Sequence, residues 1–413
     1  MPRADFIPNF EERFSMATFV LTDLAHDVWV ESFNLDNDAL YLPPNAQCAV
    51  KKRRLKGGRR DGVDLIEINN GGLAFSVVPT RGMGIWSASY KGHRLAWKSP
   101  VTDGPVNPAF VNLAANGGLG WLDGFDELLA RCGLENNGAP FEVKTKKADG
   151  TESNTTFGLH GKIANIPASY VAIHVGDEPP HEITIEGHVE EAHLFGPQVR
   201  MVTRIKTTPR SNHLVVRDEF INLKDQPVDM QILYHWNFGP PVLEEGARFI
   251  APWKTVTPRD PRAVEGLEKH DVYGPPEPGF AEQCYFYELL GQGDAGATVA
   301  MLRSRGGDMA VVLRFQTSQL PCFTLWKNTA GLRDGYVTGL EPATNYPNAL
   351  PFEKARGRVV TLPVDGRHVV ETTLVALTTP QDVAAVEAEI VQLQTQSKPV
   401  IHPGPKEPFA AEG

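Results

Sequence analysis

Cysteine is scarce: the 413-residue chain has 4, Cys48, Cys132, Cys284 and Cys322. No two lie close enough to form a CxxC unit, so neither a clustered thiolate metal site nor a local redox pair is expected. Long apolar runs are missing too. No stretch approaches the roughly 20 apolar residues that cross a bilayer as a helix. The N-terminal Met-Pro-Arg-Ala-Asp lacks the apolar core of a secretory signal. Positive charge is not in excess, since 40 Lys+Arg against 50 Asp+Glu leave a net charge of −10. Such a surface favours neither nucleic acid nor anionic lipid. The GxGxxG, P-loop, HExxH and GxSxG signatures are all absent. The expectation is a cytoplasmic protein with no nucleic-acid or membrane partner.

Glycine and proline are plentiful instead, with 38 and 33 residues spread along the chain without a period. Turns should be frequent and long helices few. A content of 41% hydrophobic and 22% charged residues excludes a disordered chain. The one basic cluster is Lys51, Lys52, Arg53, Arg54, Lys56, Arg59 and Arg60, broken by Gly57 and Gly58. It reads as a solvated, mobile loop; an anion or partner site is the sharper alternative.

From residue 61 the chain alternates as short strands do. Asp64–Ile68, Leu73–Val78 and Gly84–Tyr90 are separated by Gly-rich turns. Alternation resumes at His181–Glu190, Gln198–Lys206, His213–Asn222, Met230–His235, Thr298–Leu302, Met309–Gln316, Phe323–Lys327, Tyr336–Leu340 and His368–Leu377. Short strands at such spacing favour a sandwich or barrel. Residues 251–280 read as a Pro-rich, irregular loop, either functional or mobile. Gly120–Arg131 reads as a short helix with Asp123 as N-cap and Gly133 past its end. A firmer helix follows Thr379, with Pro380 at its first position and Val383, Val386, Ile390 and Leu393 on one face. Three parts result: an irregular extension over 1–60, an all-β domain over 61–378, and a C-terminal helix and tail over 379–413.

Three segments offer chemistry. Phe157-Gly158-Leu159-His160-Gly161-Lys162 places a His between glycines, where a ligand can approach the backbone. Leu233-Tyr234-His235-Trp236-Asn237-Phe238 puts His235 and Asn237 on one strand face and the aromatics on the other. Gly339-Leu340-Glu341-Pro342 closes an apolar strand with a carboxylate, extended because proline follows it. Arg81 ends a further strand beside Gly82. Singly, each is ordinary: a satisfied His, a turn Glu, an Arg paired with a carboxylate. Tyr234, Trp236, Trp121 and Trp326 are either core or a stacking face for a ring-shaped ligand.

Together with Pro-Thr-Arg-Gly-Met-Gly-Ile (79–85) and Cys-Gly-Leu-Glu-Asn (132–136), the three segments form an ordered set that resembles the aldose 1-epimerase (galactose mutarotase-like) superfamily. Within it the chain is most similar to a poorly characterised, epimerase-like branch carrying a domain of unknown function. The resemblance covers about residues 61–378. It implies a large antiparallel two-layer β-supersandwich with few helices, needing neither metal nor cofactor. It implies that His235 is the general acid, Glu341 the base, and His160 a contact that helps polarise the ring oxygen. Arg81 and Asp271 are the substrate-binding residues it implies, and Lys162, Asn237 and Trp326 complete the candidate set. The Asn-Arg pair usual before the first His is missing here. The implied function is an isomerase interconverting the anomers of a free sugar or sugar derivative, with self-association into a homo-oligomer left open. The alternatives are a metal-dependent isomerase or lyase on a keto-sugar, built on His160, His235 and Glu341, and a non-catalytic carbohydrate-binding protein.

Overall fold

The strand His213–Asn222 shows how the layers arise. Leu214, Val216, Asp218, Phe220 and Asn222 point inward and are buried, while the residues between them are half-exposed. Such alternation buries one face of an antiparallel sheet and wets the other. The computed structural model describes residues 16–38, 47–146 and 150–411. In it two large sheets, of 10 and 14 strands, stack face to face. A single apolar cluster joins them, drawing Val199, Ile205, Leu214 and Phe220 from one and Val77, Ile85, Tyr234 and Trp236 from the other. Among the described residues, strands pair antiparallel except where Val400–Ile401 runs parallel to Trp253–Pro258. This is the expected all-β supersandwich. No helix among the described residues is long and apolar enough to cross a membrane.

The centre of the larger sheet departs from simple alternation. Five of its strands carry or flank the candidate residues: β1 (Leu129–Leu134), β2 (Val228–Phe238), β3 (Gln283–Leu289), β4 (Cys322–Asn328) and β5 (Val337–Ala343). They lie side by side in the order β3-β4-β5-β2-β1. Every residue of β1 and β5 is buried, and so are all but one of β2. One face packs between the sheets; the other lies under loops.

That double burial corrects the helix expected over Gly120–Arg131. Only Gly120–Gly124 coils, as a 3-10 turn, and Leu129 already begins β1. Asp123 is not an N-cap, and Gly133 lies inside the strand. A continuous apolar run buried on both faces carries no period that tells helix from strand. The helix after Thr379 is as expected. It spans Pro380–Gln394, and the Thr379 side chain accepts from the Asp382 N–H. Val383, Ile390 and Leu393 bury themselves against Val299, Met301 and Val312 on the outside of the 10-stranded sheet, worth about 1.5–3 kcal/mol for each such side chain.

The expected boundary at residue 60 does not divide the structure. Met16–Asp23 pairs with Tyr170–Gly176, and Cys48–Arg54 pairs with Asp64–Asn70. Residues 1–15 and 39–46 of that extension, with Pro43 and Pro44, lie outside the described residues, as do 412 and 413. The basic cluster is a strand followed by a 3-10 turn rather than a loose loop. Several of its charges are answered: Lys52 reaches Asp64 at 3.1 Å, Arg53 reaches Glu67 at 2.9 Å and Arg59 reaches Asp103 at 3.3 Å. The stretch 251–280 is likewise not structureless, since Trp253–Pro258 pairs with β3.

Candidate active site

Pairing between β2 and β5 builds the centre. Leu233 faces Ala343 and Trp236 faces Leu340, so His235 and Glu341 between them lie opposite one another. No ladder pair forms at Tyr234–His235; Pro342, without an N–H, sits across from it. Glu341 is therefore inside β5 rather than at its end, as the strand continues to Ala343. His235 is 4% exposed and Glu341 2%. His235 Nε2 comes within 3.2 Å of Glu341 Oε1, but off the line of a hydrogen bond, and Oε1 has no donor. Two residues before Glu341 on β5, Gly339 makes room for both. A Cβ there would stand 2.3 Å from Glu341 Oε1 and 3.2 Å from His235 Cε1.

His160 comes from a turn beneath the same space. Its φ is +57°, and Gly161 follows at +68°. Gly161 is required by close approach as well, because a Cβ would lie 2.2 Å from the Gly133 carbonyl oxygen. His160 Nδ1 is 2.8 Å from the Asn137 carbonyl oxygen. A carbonyl only accepts, so Nδ1 carries the hydrogen and Nε2 is left free. The His160 and His235 rings meet edge to face at 5.4 Å. Trp121 lies 4.7 Å from the His160 ring, and Phe125 and Trp326 lie 5.1 and 5.3 Å from the His235 ring.

These side chains line a cavity of about 470 Å³ with Arg259, Glu282, Cys284 and Thr324, within the usual range of small-molecule sites. Trp121 Nε1, Thr324 Oγ1 and Glu341 Oε1 are buried there without a hydrogen-bond partner. Buried polar atoms are normally satisfied, so orphans gathered round one cavity point to a polar ligand or ordered water.

Burial sets the protonation. It drives His235 well below the ordinary histidine range, helped by His160, while the hydrogen bond to Asn237 opposes it. It drives His160 down to about 4. Glu341 is pushed well above the carboxylate range, first by burial and then by the charge of Glu282, with Arg259 opposing. Arg259 is itself engaged: Nε lies 2.7 Å from Asp260, Nη2 3.0 Å from Glu282 and Nη1 2.9 Å from Cys284 Sγ. Glu282 also accepts from Trp326 Nε1 at 2.6 Å.

The structure thus brings His160, His235, Glu341 and Trp326 together and leaves the other expected binding residues elsewhere. Arg81 does not reach the cavity. It is fully buried and holds Glu127 at 2.5 Å, with Asn165 and the Val106 carbonyl as further partners. Lys162 pairs with Glu135 at 2.9 Å on the surface. Asp271 pairs with Arg248 at 2.5 Å. Asn237 is buried behind His235 and holds its Nδ1 rather than facing the cavity. Of the candidate stacking rings, Tyr234 and Trp236 belong to the core between the sheets. Sequence reasoning missed Arg259, Glu282, Cys284 and Thr324. Thr324 lies two residues before Trp326 on the same face of β4, a signal that alternation carries; Arg259 has no such local sign. Among the described residues, no group of three or more His, Cys, Asp or Glu side chains is arranged to hold a metal ion.

Comparison with other proteins agrees with this fold. The profile of a family described as "Domain of unknown function (DUF4432)" matches residues 60–376. A crystal structure from Klebsiella pneumoniae, named as a "putative aldose 1-epimerase", is 34% identical with a TM-score of 0.89, covering 96% of this chain and 100% of that one. A galactose mutarotase-like protein from Clostridium acetobutylicum is 14% identical with a TM-score of 0.53, over 80% of this chain and 98% of its own. Galactose 1-epimerase from Lactobacillus acidophilus is 10% identical with a TM-score of 0.50, over 84% and 98%. The last two show the fold alone. No curated protein matches the sequence.

Proposed function

We propose that this chain, which belongs to the DUF4432 family and has the galactose mutarotase-like fold, is an isomerase that interconverts the anomers of a free sugar. One observation carries the reading. An imidazole and a carboxyl group from neighbouring strands meet 3.2 Å apart, inside an aromatic-walled cavity that holds orphaned polar atoms. Opening an aldose ring removes a proton from the anomeric hydroxyl while another reaches the ring oxygen. His235 and Glu341 supply one acceptor and one donor, and closure on the other face reverses both transfers. Each such group typically contributes about 10²–10⁴ in rate. Neither transfer changes an oxidation state, so the step itself calls for no electron carrier.

The remaining groups suit a polyhydroxyl ligand. Trp121, Phe125 and Trp326 offer ring faces to C–H surfaces. His160 Nε2 accepts from a hydroxyl. Glu282, held between Arg259 and Trp326, takes the carboxylate role that the family resemblance implied for Asp271.

The test is an NMR exchange screen over pentoses, hexoses, deoxy sugars and uronic acids. The parent is expected to accelerate anomer exchange of at least one of them. His235→Asn and Glu341→Gln should each lower that rate by at least about 10²-fold. Sugar binding with no acceleration would overturn the reading in favour of a binding protein. Activity that is lost after dialysis against chelator and restored by metal would overturn it in favour of a metal enzyme.

A further inference from the structure

We infer that Asn137 and Asn345, a buried pair of amides, are the positioning residues of the site: they fix the His160 ring at the cavity and tie its turn to the strands that carry His235 and Glu341. As a statement about catalysis this rests on the anomerase reading above; as a statement about the His160 ring it does not.

The turn that carries His160 has little of its own to hold it. His160 and Gly161 both take positive φ, and such backbone persists only where its surroundings over-determine it. Those surroundings are residues 133–138, where β1 ends and the chain leaves it. The His160 N–H donates to the Gly138 carbonyl at 3.0 Å, and the Gly133 N–H donates to the His160 carbonyl at 3.0 Å. The ring is held by the same segment, since Nδ1 donates to the Asn137 carbonyl. Where Asn137 sits therefore decides where the His160 ring sits.

Asn137 and Asn345 are both fully buried, and their side chains join in both directions. Asn137 Nδ2 donates to Asn345 Oδ1 at 3.1 Å, and Asn345 Nδ2 donates to Asn137 Oδ1 at 2.9 Å. A third bond settles the orientation, because Asn345 Nδ2 also donates to the Tyr346 carbonyl at 2.8 Å. A carbonyl only accepts, so the atom facing it is the nitrogen, and the atom it meets in Asn137 is the oxygen. An aspartate at either position would have no hydrogen to return.

The far side of the pair is anchored to the strands of the site. Asn345 lies four residues beyond Glu341, just past the end of β5. Thr344 before it is tied to β2: its N–H donates to the Ile232 carbonyl at 2.9 Å, and the Ile232 N–H donates to Thr344 Oγ1 at 3.0 Å. The Asn137 N–H donates to Gln231 Oε1, also on β2, at 3.3 Å. Ile232 and Gln231 lie three and four residues before His235. One buried cluster thus joins the segments bearing His160, His235 and Glu341, although its two amides stand 208 residues apart. Neither asparagine lines the cavity, so both act through His160 rather than on a ligand. Proton transfer at His235 and Glu341 and contact at His160 must meet one sugar at once, and a shared anchor keeps their spacing.

The test begins with the full chain, without substrate. With histidines labelled by 15N, the His160 signals are those lost in His160→Gln. They should include an Nδ1–H that exchanges slowly with water; fast exchange there overturns the proposal before any further variant is made. Asn345→Ala keeps the Asn137 carbonyl but releases the Asn137 side chain. The Nδ1–H signal should then be lost to exchange, and kcat/KM for anomer exchange should fall at least about tenfold. Asn70→Ala is the comparison. It removes an equally buried amide away from the cavity, one that holds Thr207 Oγ1 at 2.7 Å and the Thr208 carbonyl at 3.0 Å, and should leave both readouts as in the parent. Readouts unmoved in Asn345→Ala, or moved equally in Asn70→Ala, overturn the proposal. Should Asn345→Ala not fold, Asn137→Ser loosens the pair from its other side and is read in the same way. If the parent turns over no sugar, the anomerase reading fails, while the His160 signal still decides whether the amide pair positions the ring.

Discussion

Two buried acid–base pairs lie one residue apart on opposite faces of β2, and they could hardly be handled more differently. Facing the core, Tyr234 sits beside Arg131 of β1. Arg131 bridges the two sheets: Nε holds Asp218 at 2.5 Å, Nη2 reaches Asp218 and Thr203 at 3.0 and 2.7 Å, and Nη1 reaches the Met83 carbonyl at 3.0 Å. The Tyr234 hydroxyl donates to Asp218 at 2.8 Å. Facing the cavity, His235 approaches Glu341 without a formed hydrogen bond, and Glu341 Oε1 stays unpartnered. A network with every member satisfied rigidifies a core. A pair left short of partners beside an open cavity is prepared for a ligand that completes it.

The largest expected effect breaks the satisfied side. Arg131→Met leaves the Asp218 carboxylate buried between the sheets with no cation, only the Tyr234 hydroxyl still donating to it, and should cost about 3–5 kcal/mol of stability, read from chemical denaturation. Glu341→Gln removes a carboxyl group whose ionised form burial already disfavours, so the same measurement should find its stability unchanged or raised while exchange activity collapses. Equal destabilisation in both variants would erase the distinction between the faces.

A smaller effect tests the room that the cavity pair needs. Gly339→Ala places a methyl 2.3 Å from Glu341 Oε1, so the carboxyl group must rotate or β5 must yield. Overpacking of this kind costs about 1–3 kcal/mol, and misplacing the carboxyl group should lower exchange by at least about tenfold. Parental kinetics in Gly339→Ala would show that the carboxyl position is not critical.

The same contrast explains what the sequence could reveal. Periodicity reports which face of a strand is buried, so His213–Asn222 was legible to the residue. So was the split between His235 with Asn237 and Tyr234 with Trp236. Local punctuation marked His160 by its glycines and Glu341 by Pro342. Partners set by tertiary contact left no such trace. Arg81 beside Gly82 resembled a site residue, yet its fate is decided by Glu127, 46 residues away. Arg259 reaches the cavity only because Trp253–Pro258 pairs with β3 and its backbone bonds to Cys284. β1 was misread because burial on both faces erased its alternation.

Asp126 supplies the mildest test, since it separates an orphaned atom from a site. Its Oδ1 is as unpartnered as Oε1 of Glu341, while Oδ2 accepts from Trp86 Nε1 at 3.0 Å, but it does not line the cavity. Burial, and then the charge of Glu127, raise its carboxyl to about 8 from 3.8. The folded state therefore binds this proton more tightly than the unfolded state does. The contribution is fully present below about pH 4 and is lost as pH rises towards 8. Asn cannot titrate and keeps an oxygen for Trp86. Asp126→Asn should match the parent's melting temperature near pH 4 and exceed it near pH 8, by on the order of 2 °C, with exchange activity unchanged. A gain equal at both pH values would mean that the orphaned oxygen, not the proton, carries the cost. A loss of activity would mean that an unpartnered buried acid marks function even where no cavity adjoins it.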